Sequence, residues 1–167
     1  MLNFPVKADE ICAVVPEPCK GRACVKIIDN NGTGYTVPCR VVYVLKYMAW
    51  YFARDLSALR VECSNITGKK LYLPIPFSRD IIMVPLKMRG ERGIGEKTGY
   101  INYCQVDMAR LKGQTIYLRS GVHIDSCNSA DTVYRHLKAA ETVLYHMFGR
   151  DVVVREKSRS YICPLYL

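Results

Sequence analysis

The stretch "IIMVPLKMRGERGIGEKTGYINYCQV", Ile81 to Val106, decides the fold class. Its middle, with glycines at 90, 93 and 95 and then Lys97 and Thr98, looks like a phosphate-binding loop. Such a loop reads G-x-x-x-x-G-K-[ST] and must lead from a strand into a helix, whose N-terminal N–H groups hold the phosphates. Gly90 and Gly95 have the right spacing, but Glu96 stands where the lysine belongs. "IIMVPL" (81–86) predicts a buried strand. "GYINYCQV" (99–106) alternates β-branched and aromatic residues without a capping residue, so it predicts a second strand. A loop between two sequential strands makes a hairpin, and hairpins build antiparallel sheets. The nucleotide reading therefore gives way to a cationic hairpin tip. There Lys87, Arg89, Arg92 and Lys97 outweigh Glu91 and Glu96, and glycines allow close approach to another surface. Arg- and Gly-rich tips suit a DNA backbone or minor groove; a loop that touches nothing but solvent is the alternative.

Upstream of the hairpin, "ICAVV" (11–15) and "ACVKIID" (23–29) read as strands, with "PEPCKG" (16–21) as the loop between them. "DNNGTG" (29–34) is a turn cluster and "YTVPC" (35–39) the returning strand. Residues 40–60 read as one helix, with Val41, Leu45, Met48, Phe52 and Leu59 on its apolar stripe and Leu56 beside it. Tyr43, Tyr47, Trp50 and Arg54 follow a neighbouring face. Such a face can stack on bases, but more commonly packs under a sheet. "VECSNITGKKLYLP" then reads as extended chain, which argues against a helix-turn-helix. Pro74 and Pro76 mark an edge or extended segment.

Downstream, "TIYLRS" (115–120) and "VHIDSC" (122–127) read as strands broken at Gly121. Residues 128–149 form the second principal helix. Asn128 is the expected N-cap, Asp131 favours the positive end of the dipole, and Gly149 is the expected C-cap. Val133, Leu137, Ala140, Leu144 and Met147 make the inward seam. Asp131, Arg135, Lys138, Thr142 and Tyr145 make the wet face. "DVVVRE" (151–156) reads as a last strand, and 157–167 as a basic start and an apolar tail. The expectation is an α+β domain spanning 1–167, with a twisted, mainly antiparallel sheet and two principal helices.

Lys and Arg total 24 against 15 Asp and Glu, a formal charge of +9. That balance favours an acidic partner such as nucleic acid. The amino end lacks a signal peptide's charged start and apolar run, and no stretch is apolar enough to span a membrane, so a cytoplasmic chain without membrane contact is expected. The cysteines at 12, 19, 24, 39, 63, 104, 127 and 163 show neither C-x-x-C nor a paired-histidine ligand spacing, so they read as small apolar residues. His123, His136 and His146 belong to no recognisable catalytic set, and the carboxylates are scattered. No cofactor and no catalytic activity are expected.

From Tyr51 onward the chain resembles the ComK family of competence transcription factors of Gram-positive bacteria. "LYLPIPFSRDIIMVPLK" resembles the family's Pro-Ile, spacer and apolar strand, with Val84-Pro85-Leu86 in place of Phe-Pro-Thr. "GYINYCQV" is similar to its Gly-Trp-Ile strand, with Tyr100 for the tryptophan. "TIYLRSGVHIDSCNSADTVYRHLKAAETVL" resembles its strand, polar turn and closing helix. The similarity covers about residues 50–146. The tip at 89–98 is longer and richer in glycine, and the segment after Gly149 departs from the family. The resemblance implies a non-enzymatic, cofactor-free regulator that binds AT-rich double-stranded DNA as a homo-oligomer at the nucleoid, with room for a regulatory protein partner. Arg89, Arg92 and Lys97 at the tip are then the first candidates for DNA contact, with Lys87 beside them as a further one. Lys69, Lys70 and Arg79, which flank the Pro-Ile segment, come second; Arg135 and Lys138 come third, since on the wet helix face a solvated surface without contact is the favoured reading. The alternatives are a protein-interaction module that docks through "YICPLYL", and a nucleotide-binding enzyme using the glycine loop 89–98.

Overall fold

Strand residues of this chain alternate between two buried environments, so the sheet they form is covered on both faces. The computed structural model describes residues 3–88 and 97–161, and from 150 onward the helix backbone alone. Its elements are β1 (Ile11–Cys19), β2 (Arg22–Asp29), β3 (Gly34–Val37), α1 (Val41–Tyr51), α2 (Leu56–Thr67), β4 (Ile75–Ser78), β5 (Ile81–Lys87), β6 (Thr98–Asn102), β7 (Thr115–Tyr117), β8 (His123–Asp125) and α3 (Ala130–Tyr161). Six strands form one antiparallel sheet in the order β3-β2-β1-β6-β5-β4, and β7 and β8 pair separately. The α+β class expected from the sequence is the one observed, with three helices. Val25, Ile27, Ile75, Phe77 and Met83 bury one sheet face with Leu45 and Met48 of α1 and Leu59 of α2. Ile28, Ile82, Val84, Leu86 and Ile101 bury the other with Ile116, Ile124, Leu137 and Ala140, from the small sheet and α3.

The β5–β6 pairing runs from Met83↔Asn102 to Lys87↔Thr98, so the segment between them does join antiparallel strands. A phosphate-binding loop has no helix to lead into here. The tip itself, with Arg89 and Arg92, lies outside the described residues, as does the tail beyond Tyr161. β6 ends at Asn102, short of the expected Val106. The buried Asn102 carboxamide accepts from the N–H of Cys104 at 3.1 Å and donates to the Asp80 carbonyl at 3.0 Å, which turns the chain out of the sheet. β7 and β8 are likewise shorter than their sequence patterns.

Residues 16–21 are not a loop: β1 continues through Pro16 and Pro18 to Cys19. Past Val14 it has β2 on one side only, and an open strand edge tolerates residues without an N–H. The next turn forms as expected. Asp29 accepts from the backbone of Asn31 and Thr33, both at 2.9 Å, and thereby closes the β2–β3 hairpin.

The helix expected over 40–60 is two helices. α1 stops in a left-handed residue, Ala53 (φ 51°). The Ala53 N–H donates to the Trp50 carbonyl at 3.1 Å and that of Arg54 to Ala49 at 2.8 Å, the bonding pattern that usually has glycine at this position. Asp55 then caps α2, accepting from the Ala58 N–H at 2.7 Å, and Gly68 (φ 70°) closes it. The segment read as extended is thus helical to Thr67, and the connectivity that argued against two helices joined by a short turn is corrected. Ala53→Gly removes the clash of a Cβ in the left-handed region. It is expected to raise stability by about 0.5–1 kcal/mol after the entropy of the unfolded chain is counted; urea unfolding checks it through a higher midpoint at unchanged slope. The aromatic stripe does not pack under a sheet. Trp50 is 62% exposed and Tyr43 48%, Arg54 faces solvent, and Tyr47 stacks on Phe4 with ring centroids 4.5 Å apart.

α3 begins at Ala130. Ser129 is its cap, its hydroxyl accepting from the Thr132 N–H at 3.2 Å; Asn128, the expected cap, is used elsewhere. Val133, Leu137 and Ala140 form the buried seam, as the periodicity implies. The helix passes through Gly149 and includes 151–156, where a strand was expected. One interior glycine costs only about 1 kcal/mol, while extending a formed helix adds a hydrogen bond per residue.

Candidate nucleic-acid interface

The end of β5 is held by the turn that precedes α3. The Asn128 carboxamide accepts from the Lys87 N–H at 2.8 Å. The Lys87 carbonyl accepts from the Ser126 hydroxyl at 2.9 Å and from the Cys127 N–H at 2.7 Å. This clamp fixes the backbone from which the exposed Lys87 side chain projects. One strand over, the exposed Lys97 stands at the root of the hairpin, its carbonyl accepting from the Met88 N–H at 2.7 Å.

Beyond Met83, β5 loses its β4 partner. The Pro85 carbonyl there is taken by His136 of α3, whose Nδ1 lies 2.9 Å away. Because a carbonyl only accepts, Nδ1 carries the proton and donates. Burial lowers the His136 pKa, the Pro85 hydrogen bond opposes that effect, and the charges of Lys69 and Arg135 add to it. A histidine held below its usual value of about 6.5 binds less proton than the unfolded chain does. Stability contributed by this group is therefore present above that value and falls as pH drops through it toward the folded pKa. The melting temperature is expected to decline between neutral and mildly acidic pH, and His136→Gln to flatten that decline; thermal melts across this window check it.

Tyr72 covers the His136 ring, with centroids 5.7 Å apart and planes 23° from parallel. Lys87 Nζ sits 5.8 Å from the Tyr72 ring centre. The Tyr72 backbone is left-handed (φ 53°), a conformation that costs a non-glycine residue about 1–2 kcal/mol, yet its side chain is 44% exposed. Backbone strain at an exposed aromatic residue is a feature that clusters at functional sites. Lys87 thus stands over a stacked Tyr72–His136 pair, with Arg135 next to His136 in the chain and Lys69 near enough for its charge to act on the imidazole.

The remaining candidates divide. Lys70 turns into a neighbouring cleft with Arg60 of α2. Arg135 makes an exposed ion pair with Asp131 at 3.2 Å, a contact weak enough to yield to a competing anion. Lys138 is engaged by Glu141 at 2.7 Å, and that hydrogen bond raises its pKa. Arg79 lies at the opposite end of β5, about 20 Å along the strand from Lys87, beside Asp80 at 3.8 Å. Sequence reading missed Tyr72, His136 and Arg60. His136 meets Pro85 across 51 residues, and no local pattern signals a left-handed tyrosine.

Burial pushes the Cys12, Cys63 and Cys104 thiols up to about 11, so they stay protonated and unreactive at neutral pH. Among the described residues no three His, Cys, Asp or Glu side chains gather as metal ligands. No described helix is long and apolar enough to cross a membrane. No protein-family model, curated protein or solved structure matches the chain.

Proposed function

We propose that the chain binds duplex DNA through the cationic face around Tyr72 and His136 and acts as a transcription regulator, in line with its ComK-like sequence pattern. The observation that carries this reading is the exposed Lys87 set over the Tyr72 ring, itself stacked on His136, beside the root of a hairpin whose connecting sequence adds Arg89 and Arg92. The net charge of +9 supports it. α2 is a poorer candidate, because the acidic Glu62 is exposed on it as well as Arg60. Lysine and arginine that neutralise phosphates release counterions, so affinity falls with salt by about 0.9 log unit per contact and per log unit of salt. At least three such contacts are expected, hence a slope of about −3 or steeper on AT-rich duplex. Fluorescence anisotropy at several salt concentrations measures it; an absence of binding at low salt would sink the proposal.

A further inference from the structure

Next to the cationic face lies a half-open cleft of about 340 Å³, within the range of small-ligand sites. Arg60 and Lys70 line it, both exposed and neither in an ion pair among the described residues. Among the described residues no carboxylate lines it. Its remaining lining residues include Tyr72, Tyr100, Thr98 and Leu71, the last 74% exposed. Two features that a chain ordinarily avoids, a left-handed tyrosine and a nearly bare leucine, therefore occur side by side at its rim.

We propose that this cleft binds a nucleoside monophosphate as a small ligand. A phosphate monoester carries about −1.5 to −2 at neutral pH, which two cations balance, and a guanidinium fork suits its oxygens. Leu71, Leu73 and the tyrosine side chains of the lining give a base apolar and aromatic surface to lie against. Thr98 and the tyrosine hydroxyls are of the kind that hydrogen-bond a ribose or a ring edge. The volume suits one base, one sugar and one phosphate. A triphosphate would bring a magnesium ion, and the described lining offers no carboxylate to share it. The site shares Tyr72 with the cationic face but does not depend on DNA binding, and its test contains no DNA.

The test is a titration of the full chain with adenosine 5′-monophosphate, followed by amide chemical shifts. The expected result is saturable binding with a dissociation constant on the order of 100 µM, with shifts centred on residues 70–73 and 98–100. Adenosine alone and inorganic phosphate alone should each bind at least tenfold more weakly. Arg60→Gln with Lys70→Gln should weaken the nucleotide at least tenfold, and Tyr72→Leu should weaken the nucleotide while leaving phosphate unchanged. Lys70→Gln alone changes one exposed side chain and guards against misfolding of the double variant. Failure to saturate at millimolar nucleotide overturns the proposal. So does phosphate binding as tight as the nucleotide, which would leave only a bare anion site.

Discussion

Replacing Lys69, Lys87 and Arg135 together by glutamine is expected to flatten the salt dependence of DNA binding by about 3 units of slope, one per lost phosphate contact. At moderate salt the same variant should lose about 10²- to 10³-fold in affinity, since each charge-assisted contact contributes roughly 1–1.5 kcal/mol. The fold should survive, because Lys87 and Arg135 are exposed and Lys69 is half-exposed. Arg79→Gln is the internal control: Arg79 sits at the far end of β5, in the β4–β5 turn, and its loss should leave slope and affinity unchanged. Anisotropy titrations of both variants decide the matter. Equal slopes for the triple variant and the unmodified chain would remove this face from the interface.

Gly99→Ala is expected to be costly for a change of one methyl group. A Cβ there would stand 2.8 Å from the Val14 carbonyl oxygen and 2.9 Å from the Met88 side chain. The methionine can shift, but the carbonyl cannot move without opening the β1–β6 pairing. That pairing rests on Ala13↔Ile101 and Val14↔Tyr100 alone, and it is the seam joining the two halves of the sheet. Overpacking of this kind costs about 1–3 kcal/mol, and contact with rigid backbone places Gly99 at the upper end. Urea unfolding should show a lower midpoint. An unchanged midpoint would mean that the seam can widen without loss.

Such close packing is invisible in sequence, whereas the alternation that builds the sheet is not. Ile82, Val84 and Leu86 face one cluster while Ile81 and Met83 face the other, and that period of two is present in the bare string. The break between α1 and α2 was hidden for a specific reason. Its left-handed position holds Ala53, where glycine would have announced a stop, and Leu56 and Leu59 continue the apolar stripe across the gap. Asp55 and Gly68 were legible cap signals that the unbroken stripe obscured. Prolines at 16 and 18 suggested a loop because sequence does not say which side of a strand lacks a partner. Of the site, the lysines and arginines could be named from the sequence, but their grouping could not. The β5 segment that carries Lys87 and the helix that carries Arg135 are brought together because α3 folds back to place His136 on the Pro85 carbonyl.

The borders of the large sheet bear on how copies of this chain could assemble. One border is β3, four residues long and followed by Pro38; the other is β4, equally short and carrying Pro76. Where β5 would otherwise show an acceptor past the end of β4, the imidazole of His136 occupies it. A strand from a second molecule finds little backbone to zip onto at either border, as in natural sheets guarded against edge-to-edge growth. Any assembly of copies would then favour side-chain surfaces, such as the outward aromatic residues of α1, over the two borders of the sheet.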